Sequence, residues 1–211
     1  MSEVTIRIDG REVRTEEGRR VLAAALDAGI WIPHLCGVET SGLPFASCRL
    51  CWVEVEGREE PITSCTLEAR DGMEIRTRSE AVDRLVSASF HMLLSTHPLP
   101  CKGCPGHKNC ALQDIARERK LRLRHGVYPT VLPDLSVDES HPEIGLDPNR
   151  CILCGECIRA CEDEGPRVLD FVGRGLETRI GTFDGLPLAE TRCNACGRCA
   201  EVCPVKALWK R

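Results

Sequence analysis

The chain has 211 residues, of which 42% are hydrophobic and only 4% aromatic, and its formal net charge is −4 at pH 7. This hydrophobic content is ordinary for a soluble globular protein, and the negative charge argues against a nucleic-acid partner. No apolar run is long enough to cross a bilayer, so a transmembrane segment is not expected. The low aromatic content favours several small modules over one large core.

The 15 cysteines are the most distinctive feature of the composition. Their number is odd, and the N-terminus resembles a charged strand and not a signal peptide, so a secreted disulfide scaffold is disfavoured. A reducing cytoplasm suits this many thiols. We therefore expect a cytoplasmic protein whose cysteines bind metal.

Residues 1–78 predict a small α+β module. Val4–Ile8 alternates with period two and is followed by Asp9-Gly10, a hairpin turn from which 12–15 can return. A helix is predicted from Arg20 to Ala28. Further short strands are predicted at 52–56, 61–64 and 73–77. This order of elements is typical of a β-grasp ferredoxin.

The rest of the chain divides into a helical module, a linker and a second α+β module. Residues 79–125 contain apolar residues at helical spacing up to Ser95 and a second predicted helix after Cys110. Residues 126–145 contain several prolines and no clear period, which predicts a linker. The last module is predicted to span 146–211.

The last module contains an internal repeat, two C-x2-C-x2-C-x3-C runs that are 42 residues apart. In this bacterial-type motif the first three cysteines bind one tetranuclear cluster and the fourth binds the other. Gly155 and Gly197 allow the backbone to curl around each cluster. Zinc is disfavoured here, because zinc sites commonly use two separated pairs of ligands. The motif predicts two [4Fe–4S] clusters, one on Cys151, Cys154, Cys157 and Cys203, the other on Cys193, Cys196, Cys199 and Cys161.

The first module contains four cysteines at a different spacing, C-x11-C-x2-C-x13-C. The C-x2-C pair lies before a predicted strand, with one cysteine upstream and one downstream. This suits a binuclear cluster held by loops, although structural zinc stays open because four thiolates also bind zinc. We predict a [2Fe–2S] cluster on Cys36, Cys48, Cys51 and Cys65.

The three remaining cysteines, Cys101, Cys104 and Cys110, are one ligand short of a full set. His97 is our choice for the fourth ligand of a third [4Fe–4S] cluster, and His107 in the same loop is the rival. A neutral imidazole in place of a thiolate should raise the reduction potential, as in Rieske centres. The other histidines, at 34, 91, 125 and 141, are interpreted as structural or surface residues.

These ligand sets resemble a known family. The β-grasp set followed by H-x3-C-x2-C-x5-C is similar to the N-terminal region of the large iron–sulfur subunit of complex I. It is also similar to the small diaphorase subunit of NAD-coupled [NiFe] hydrogenases and to the front end of many [FeFe] hydrogenases and NAD-dependent formate dehydrogenases. The run from Asp147 to Cys157 and Gly173-Arg174-Gly175 strengthen the match.

The resemblance implies an electron-transfer subunit with no catalytic residue of its own. Its partners would be a flavin- and NAD(P)H-binding subunit and a hydrogenase small subunit or another redox catalytic subunit. Gly173-Arg174-Gly175 lacks the third glycine of a dinucleotide-binding motif, so nucleotide binding is expected in a partner. Because the chain stops soon after Cys203, we expect a separate four-cluster subunit.

Several alternatives stay open at this point. The same subunit could belong to an electron-bifurcating hydrogenase, an NAD-dependent formate dehydrogenase or a complex I-like enzyme. Two alternatives come from other classes, an enzyme that reduces a small substrate at an open iron site and a zinc-stabilised interaction module.

Overall fold

The computed structural model describes residues 2–37, 44–99 and 101–211. No helix within these ranges is both long and apolar enough to cross a bilayer. The fold divides into two compact units, residues 1–90 and 91–211. The finer division of the sequence into three modules and a linker stays a prediction.

The first unit is built on a five-stranded sheet with the order β2-β1-β5-β3-β4. β1 pairs parallel with β5, whereas the other neighbouring strands are antiparallel. The mixed sheet and its helices confirm the α+β class. The elements are β1 (Glu3–Ile8), β2 (Arg11–Glu16), α1 (Val21–Asp27), β3 (Trp52–Val55), β4 (Ile62–Thr63) and β5 (Glu74–Arg76).

The predicted hairpin between β1 and β2 is confirmed. Asp9 and Gly10 both have positive φ, 48° and 80°, which is the requirement of a type I′ turn whose twist matches that of the flanking strands. Asp9 also accepts hydrogen bonds from the backbone amide and the hydroxyl of Thr77, at 2.8 and 2.6 Å. The turn is thereby tied to the segment that follows β5.

Alternating residues of the sheet and one face of α1 form the core of this unit. Ile6, Ile8 and Ile75 are buried on the sheet, and Leu22 is buried on α1. The same cluster of buried residues includes two of the predicted metal ligands, Cys51 and Cys65. The first cysteine set therefore lies at the margin of a hydrophobic core.

The predicted helix after the sheet is α2 (Glu80–Ser95). Its buried residues Val82, Val86, Phe90 and Leu94 are four apart and thus lie along one face. The Ser79 hydroxyl accepts a hydrogen bond from the Val82 amide at 3.2 Å, as an N-cap residue does. Local capping and apolar spacing together account for this helix.

The second unit is built from short helices and two small antiparallel strand pairs, β6 with β9 and β7 with β8. β7 and β8 form a hairpin, whereas β6 and β9 are far apart in the sequence. The elements are α3 (Ala111–Glu118), β6 (Ile144–Leu146), α4 (Glu156–Asp163), β7 (Leu169–Val172), β8 (Arg179–Thr182), α5 (Arg198–Val202) and β9 (Leu208–Lys210).

The segment predicted as a linker is more structured at its end than expected. Residues 126–143 contain no helix and no named strand, but Ile144 and Gly145 belong to β6, and Asp138 forms an antiparallel bridge with Leu146. The prolines and the lack of a period hid this pairing. The Asp138 carboxylate further accepts hydrogen bonds from the backbone amides of Ser140 and Leu188.

Candidate metal centres

The repeated cysteine runs surround two cavities in the second unit. One cavity is lined by apolar residues of β8 and β9 and by four cysteines, Cys151, Cys154, Cys157 and Cys203. The other is lined by Leu188, Ile144 and four cysteines, Cys161, Cys193, Cys196 and Cys199. Each cavity therefore takes three cysteines from one run and the last cysteine of the other.

The backbone of both runs curls in the same way. Leu153 and Ala195, which occupy equivalent positions, have φ of 55° and 57°, and the equivalent Gly155 and Gly197 have φ of 80° and 75°. Left-handed residues on both sides of the second cysteine turn the chain back around the cavity. The two glycines were expected from the sequence, but the strained non-glycine positions were not.

The helices α4 and α5 explain why each cavity contains cysteines from both runs. α4 contains Cys157, which lines the first cavity, and Cys161, which lines the second. α5 contains Cys199 of the second cavity, and Cys203 of the first cavity follows the helix directly. Two short helices thus fix the relative position of both sulfur sets.

Burial and neighbouring thiols raise the pKa of at least one cysteine at each cavity. Burial raises the pKa of Cys151 to about 11, and the nearby Cys203 thiol adds to this. Burial raises the pKa of Cys199 to about 12, with contributions from Cys193, Cys196 and Cys161. Because a metal binds the thiolate and not the thiol, binding at either cavity must displace protons.

The first unit buries its four cysteines almost completely. The Sγ atoms of Cys36 and Cys48 are 3.3 Å apart. The Cys36 thiol and burial raise the pKa of Cys48, and the Cys65 thiol and burial raise that of Cys51. The four side chains are therefore close together, although residues 38–43 of the connecting loop lie outside the described part. The exposed fractions of these four cysteines are 2% or less.

The third predicted set combines three cysteines with His97 as the proposed fourth ligand. Burial raises the pKa of Cys110, and the charges of Cys101 and Cys104 raise it further, so the three thiols are neighbours. His97 is only 4% exposed, whereas the rival His107 is exposed. The backbone amide of Gly106 donates to the Cys104 Sγ at 3.3 Å.

His97 has the protonation state that a metal ligand needs. Its Nδ1 lies 3.0 Å from the backbone carbonyl oxygen of Arg150. Because a carbonyl oxygen only accepts, Nδ1 must carry the proton, and Nε2 keeps the lone pair. Burial lowers the pKa of His97 to about 4, so the imidazole is neutral near pH 7.

The donor types fit iron–sulfur clusters. Cysteine thiolates are their usual ligands, and a histidine can replace one at an iron atom. In the described ranges no three His, Cys, Asp or Glu side chains are arranged to hold one single metal ion. The cysteine side chains of the repeated runs line two cavities, four at each.

Gly173-Arg174-Gly175 has a structural role in the β7–β8 hairpin. The two glycines have φ of 82° and 57° and lie at the tip. A Cβ at Gly173 would lie 2.5 Å from the carbonyl oxygen of Glu177. The tip therefore requires glycine at position 173 for a close backbone approach.

Three family models match the chain in succession. Residues 1–80 match a 2Fe-2S iron-sulfur cluster binding domain. Residues 88–124 match the NADH-ubiquinone oxidoreductase-G iron-sulfur binding region, and residues 150–207 match a 4Fe-4S dicluster domain. All three predicted cluster regions are thus covered by iron–sulfur families.

The chain is also similar to curated proteins over nearly its whole length. It is 35% identical to the NADPH-Fe(3+) oxidoreductase subunit alpha of Geobacter sulfurreducens, over 97% of this chain and 24% of the relative. It is 34% identical to the NADP-reducing hydrogenase subunit HndD of Solidesulfovibrio fructosivorans, over 99% of this chain and 36% of the relative.

A mitochondrial relative shows the same partial coverage. The chain is 32% identical to the NADH-ubiquinone oxidoreductase 78 kDa subunit of Candida albicans, over 100% of this chain and 29% of the relative. The chain thus spans about a quarter to a third of the length of the curated relatives that it matches.

The chain is also similar over its full length to a solved structure. That structure is a chain of the crystal structure of NAD+-reducing [NiFe]-hydrogenase in the H2-reduced state, with a TM-score of 0.88 and 36% sequence identity. The match covers 100% of this chain and 88% of that chain.

Proposed function

Because this chain belongs to the family of iron–sulfur electron-transfer subunits of NAD(P)-linked hydrogenases and complex I-like oxidoreductases, we propose that it relays single electrons through four clusters. The proposed set is one [2Fe–2S] and three [4Fe–4S] clusters. The observation that carries this proposal is the pair of cavities in the second unit, each lined by four cysteines.

The proposed ligand sets follow the sulfur positions. A β-grasp module would hold the [2Fe–2S] cluster on the four buried cysteines of the first unit. His97 would complete the set of three cysteines that begins at Cys101, and its neutral state and burial support this choice over His107. The remaining two clusters would lie in the two cavities, with Cys161 and Cys203 exchanged between the runs.

Iron–sulfur clusters supply one-electron steps that break no bonds at the protein. The residues of this chain then have three tasks, which are to hold the clusters at fixed spacing, to exclude water and to tune potentials by hydrogen bonds to sulfur. Leu153 and Val168 donate their backbone amides to the Sγ atoms of Cys151 and Cys161, both at 3.3 Å. Such bonds stabilise negative charge on the sulfur and favour the reduced state.

The second cavity offers the more accessible contact for a redox partner. Cys196 is exposed, and Cys193 and Cys199 are half-buried, whereas Cys154, Cys157 and Cys203 of the first cavity are buried. We propose a flavin- and NAD(P)H-binding subunit as one partner and a hydrogenase small subunit or another redox catalytic subunit as the other. A cytoplasmic complex with nucleotide binding outside this chain fits the proposal.

Anaerobic purification followed by iron and sulfide determination tests the cluster content. Four loaded clusters correspond to about 14 irons and a similar amount of acid-labile sulfide per chain. Stepwise reduction followed by EPR should resolve one binuclear and three tetranuclear signals. A colourless protein that contains zinc and no labile sulfide would overturn the proposal.

The relay itself is tested in the assembled complex. Cys154→Ala should remove one tetranuclear cluster and abolish electron transfer from NAD(P)H or hydrogen to the opposite acceptor. The matched control is Glu139→Gln, a change at an exposed position that is not a proposed cluster ligand. This variant should leave electron flux unaltered. Unchanged flux in the cysteine variant would argue against an obligatory relay.

A further inference from the structure

His97 is held by hydrogen bonds to two separate segments of the second unit. Its Nδ1 donates to the Arg150 carbonyl at 3.0 Å, and its own backbone carbonyl accepts from Nε2 of His125 at 2.9 Å. Since both acceptors are carbonyl oxygens, the proton positions on both rings are fixed, on Nδ1 of His97 and on Nε2 of His125. The ring and the backbone of His97 are therefore restrained independently.

The Arg150 carbonyl is itself held in place by a short turn that Asp147 caps. The Asp147 carboxylate accepts from the Asn149 backbone amide at 3.0 Å, from the Asn149 side-chain amide at 2.8 Å and from the Arg150 Nε at 2.8 Å. The Asp147 and Arg150 side chains are only 13% and 21% exposed. This largely shielded carboxylate thus fixes the turn that presents the carbonyl to the imidazole.

The turn is also fastened to the extended segment before β6. The Asn149 side chain donates to the Leu135 carbonyl and accepts from the Leu135 amide, both at 2.8 Å. Asn149 therefore makes three hydrogen bonds through its side chain, two to Leu135 and one to Asp147. A turn with this many internal bonds is rigid enough to orient a ring.

We propose that His125 and Asp147 are positioning residues for His97 as an iron ligand, and that the Arg150 carbonyl joins the His97 site to the neighbouring cysteine site. The inference rests on the proposed function, because it requires His97 to bind a cluster. An imidazole whose Nδ1–H donates to a carbonyl is a stronger donor at Nε2 and has a fixed orientation. His125 and Asp147 supply that orientation without touching the metal.

The link to the next site is short. Arg150 is joined by a peptide bond to Cys151, which lines the first cavity. One hydrogen bond and a few backbone bonds therefore connect an imidazole ligand of one proposed cluster to a thiolate ligand of another. A change in the Asp147 turn should therefore alter the reduction potential of the His97 cluster most and that of the Cys151 cluster less.

The test uses the loaded full-length chain and EPR-monitored redox titration of each cluster. His125→Ala and Asp147→Ala should both weaken imidazole donation and so favour the reduced state of the His97 cluster. We expect the ratio of reduced to oxidised cluster at a fixed ambient potential to rise about tenfold, which equals a shift of about 59 mV for a one-electron couple. The [2Fe–2S] signal should not shift.

Conservative variants separate positioning from general stability. His125→Gln keeps an N–H that can donate to the His97 carbonyl, so it should restore the wild-type titration. Unchanged potentials and g values in fully loaded His125→Ala and Asp147→Ala chains would overturn the inference. Loss of all four cluster signals together would also overturn it, since it would show a general structural role.

A second pair of variants tests the ligand assignment on which the inference depends. His97→Gln should remove or strongly alter one tetranuclear signal, whereas His107→Gln should leave all signals unchanged. If His97→Gln leaves every signal unchanged, the ligand assignment fails and the inference fails with it. If His97→Gln removes the signal but the positioning variants titrate like wild type, only the inference fails.

Discussion

Gly145 and Trp209 lie directly opposite each other in the β6–β9 pair, and the indole ring covers the glycine. A Cβ built on Gly145 would lie 2.3 Å from Cζ2, 2.4 Å from Cε2 and 2.8 Å from Cη2 of Trp209. The neighbouring residues of the same pair line the cavities, Ile144 the second and Leu208 the first. The packing of the Trp209 ring on Gly145 therefore positions residues that line both cysteine cavities.

Gly145→Ala should destabilise the second unit, because the ring or the strand must move to admit the methyl group. Overpacking of this kind costs about 1–3 kcal/mol, and each kcal/mol lowers the melting temperature of a chain of this size by about 2–4 °C. Thermal unfolding followed by the visible absorption of the clusters measures the effect.

The matched control for that variant removes the ring. In a Trp209→Ala background, Gly145→Ala should cost far less, since the atoms that it would meet are gone, and the double-mutant cycle should show a large coupling energy. Equal costs in both backgrounds would contradict the packing described for this pair.

Each cavity contains three cysteines of one run and the last cysteine of the other. Pairs of cysteine variants can therefore test which cysteines share a cluster. Cys203→Ala should lose the same EPR signal as Cys154→Ala, and Cys161→Ala should lose the same signal as Cys196→Ala. The reason is that Cys203 raises the pKa of Cys154, whereas Cys161 raises that of Cys199. A signal shared by the Cys161 and Cys154 variants would instead indicate that each run binds its own cluster.

The local parts of the fold were predictable because local sequence determines them. Asp9-Gly10 encodes its turn through two residues that tolerate positive φ, and the apolar residues of α2 recur at helical spacing. The cysteine spacing of the two runs likewise predicted three-plus-one sets of cysteines, and the structure places these sets around common cavities.

The parts that sequence reasoning missed depend on contacts between distant segments. β6 and β9 are three residues each and are separated by more than the whole dicluster region, so neither has a local signal. The contact of His125 with His97 likewise joins positions 28 apart. Asp147 followed by Pro148 is a capping signal that could have revealed the turn, but its carbonyl acceptor could not be inferred from sequence.

The Asp138 carboxylate should stabilise the folded protein at neutral pH. Burial raises the pKa of its carboxyl group, but hydrogen bonds from Ser140 and Leu188, together with the charge of the nearby His141, outweigh this and lower the pKa from its usual value. A group whose folded pKa is lowered stabilises the protein above the unfolded pKa and loses that effect only as pH falls through the folded value. The contribution should therefore decline only in the acid range.

Asp138→Ala removes the acceptor of the Leu188 amide and should cost about 1–3 kcal/mol. The difference in melting temperature between this variant and wild type should persist from about pH 8 to about pH 5 and be lost only as pH falls below the unfolded-state pKa of about 3.9. Glu139→Ala, at the neighbouring exposed position, is the control and should have little effect. A difference that has already disappeared at about pH 5 would contradict the assignment.

Replacing the proposed imidazole ligand with a thiolate should lower one reduction potential. His97→Cys adds a negative charge at the cluster, and centres with imidazole ligands have higher potentials than all-thiolate centres. We expect the potential of that tetranuclear cluster to fall by on the order of 100 mV, while the other three clusters titrate as in wild type. His107→Cys is the matched control and should change no potential. If His107→Cys lowers the potential and His97→Cys does not, His107 is the ligand, and the exposed loop must close over the cluster when it binds.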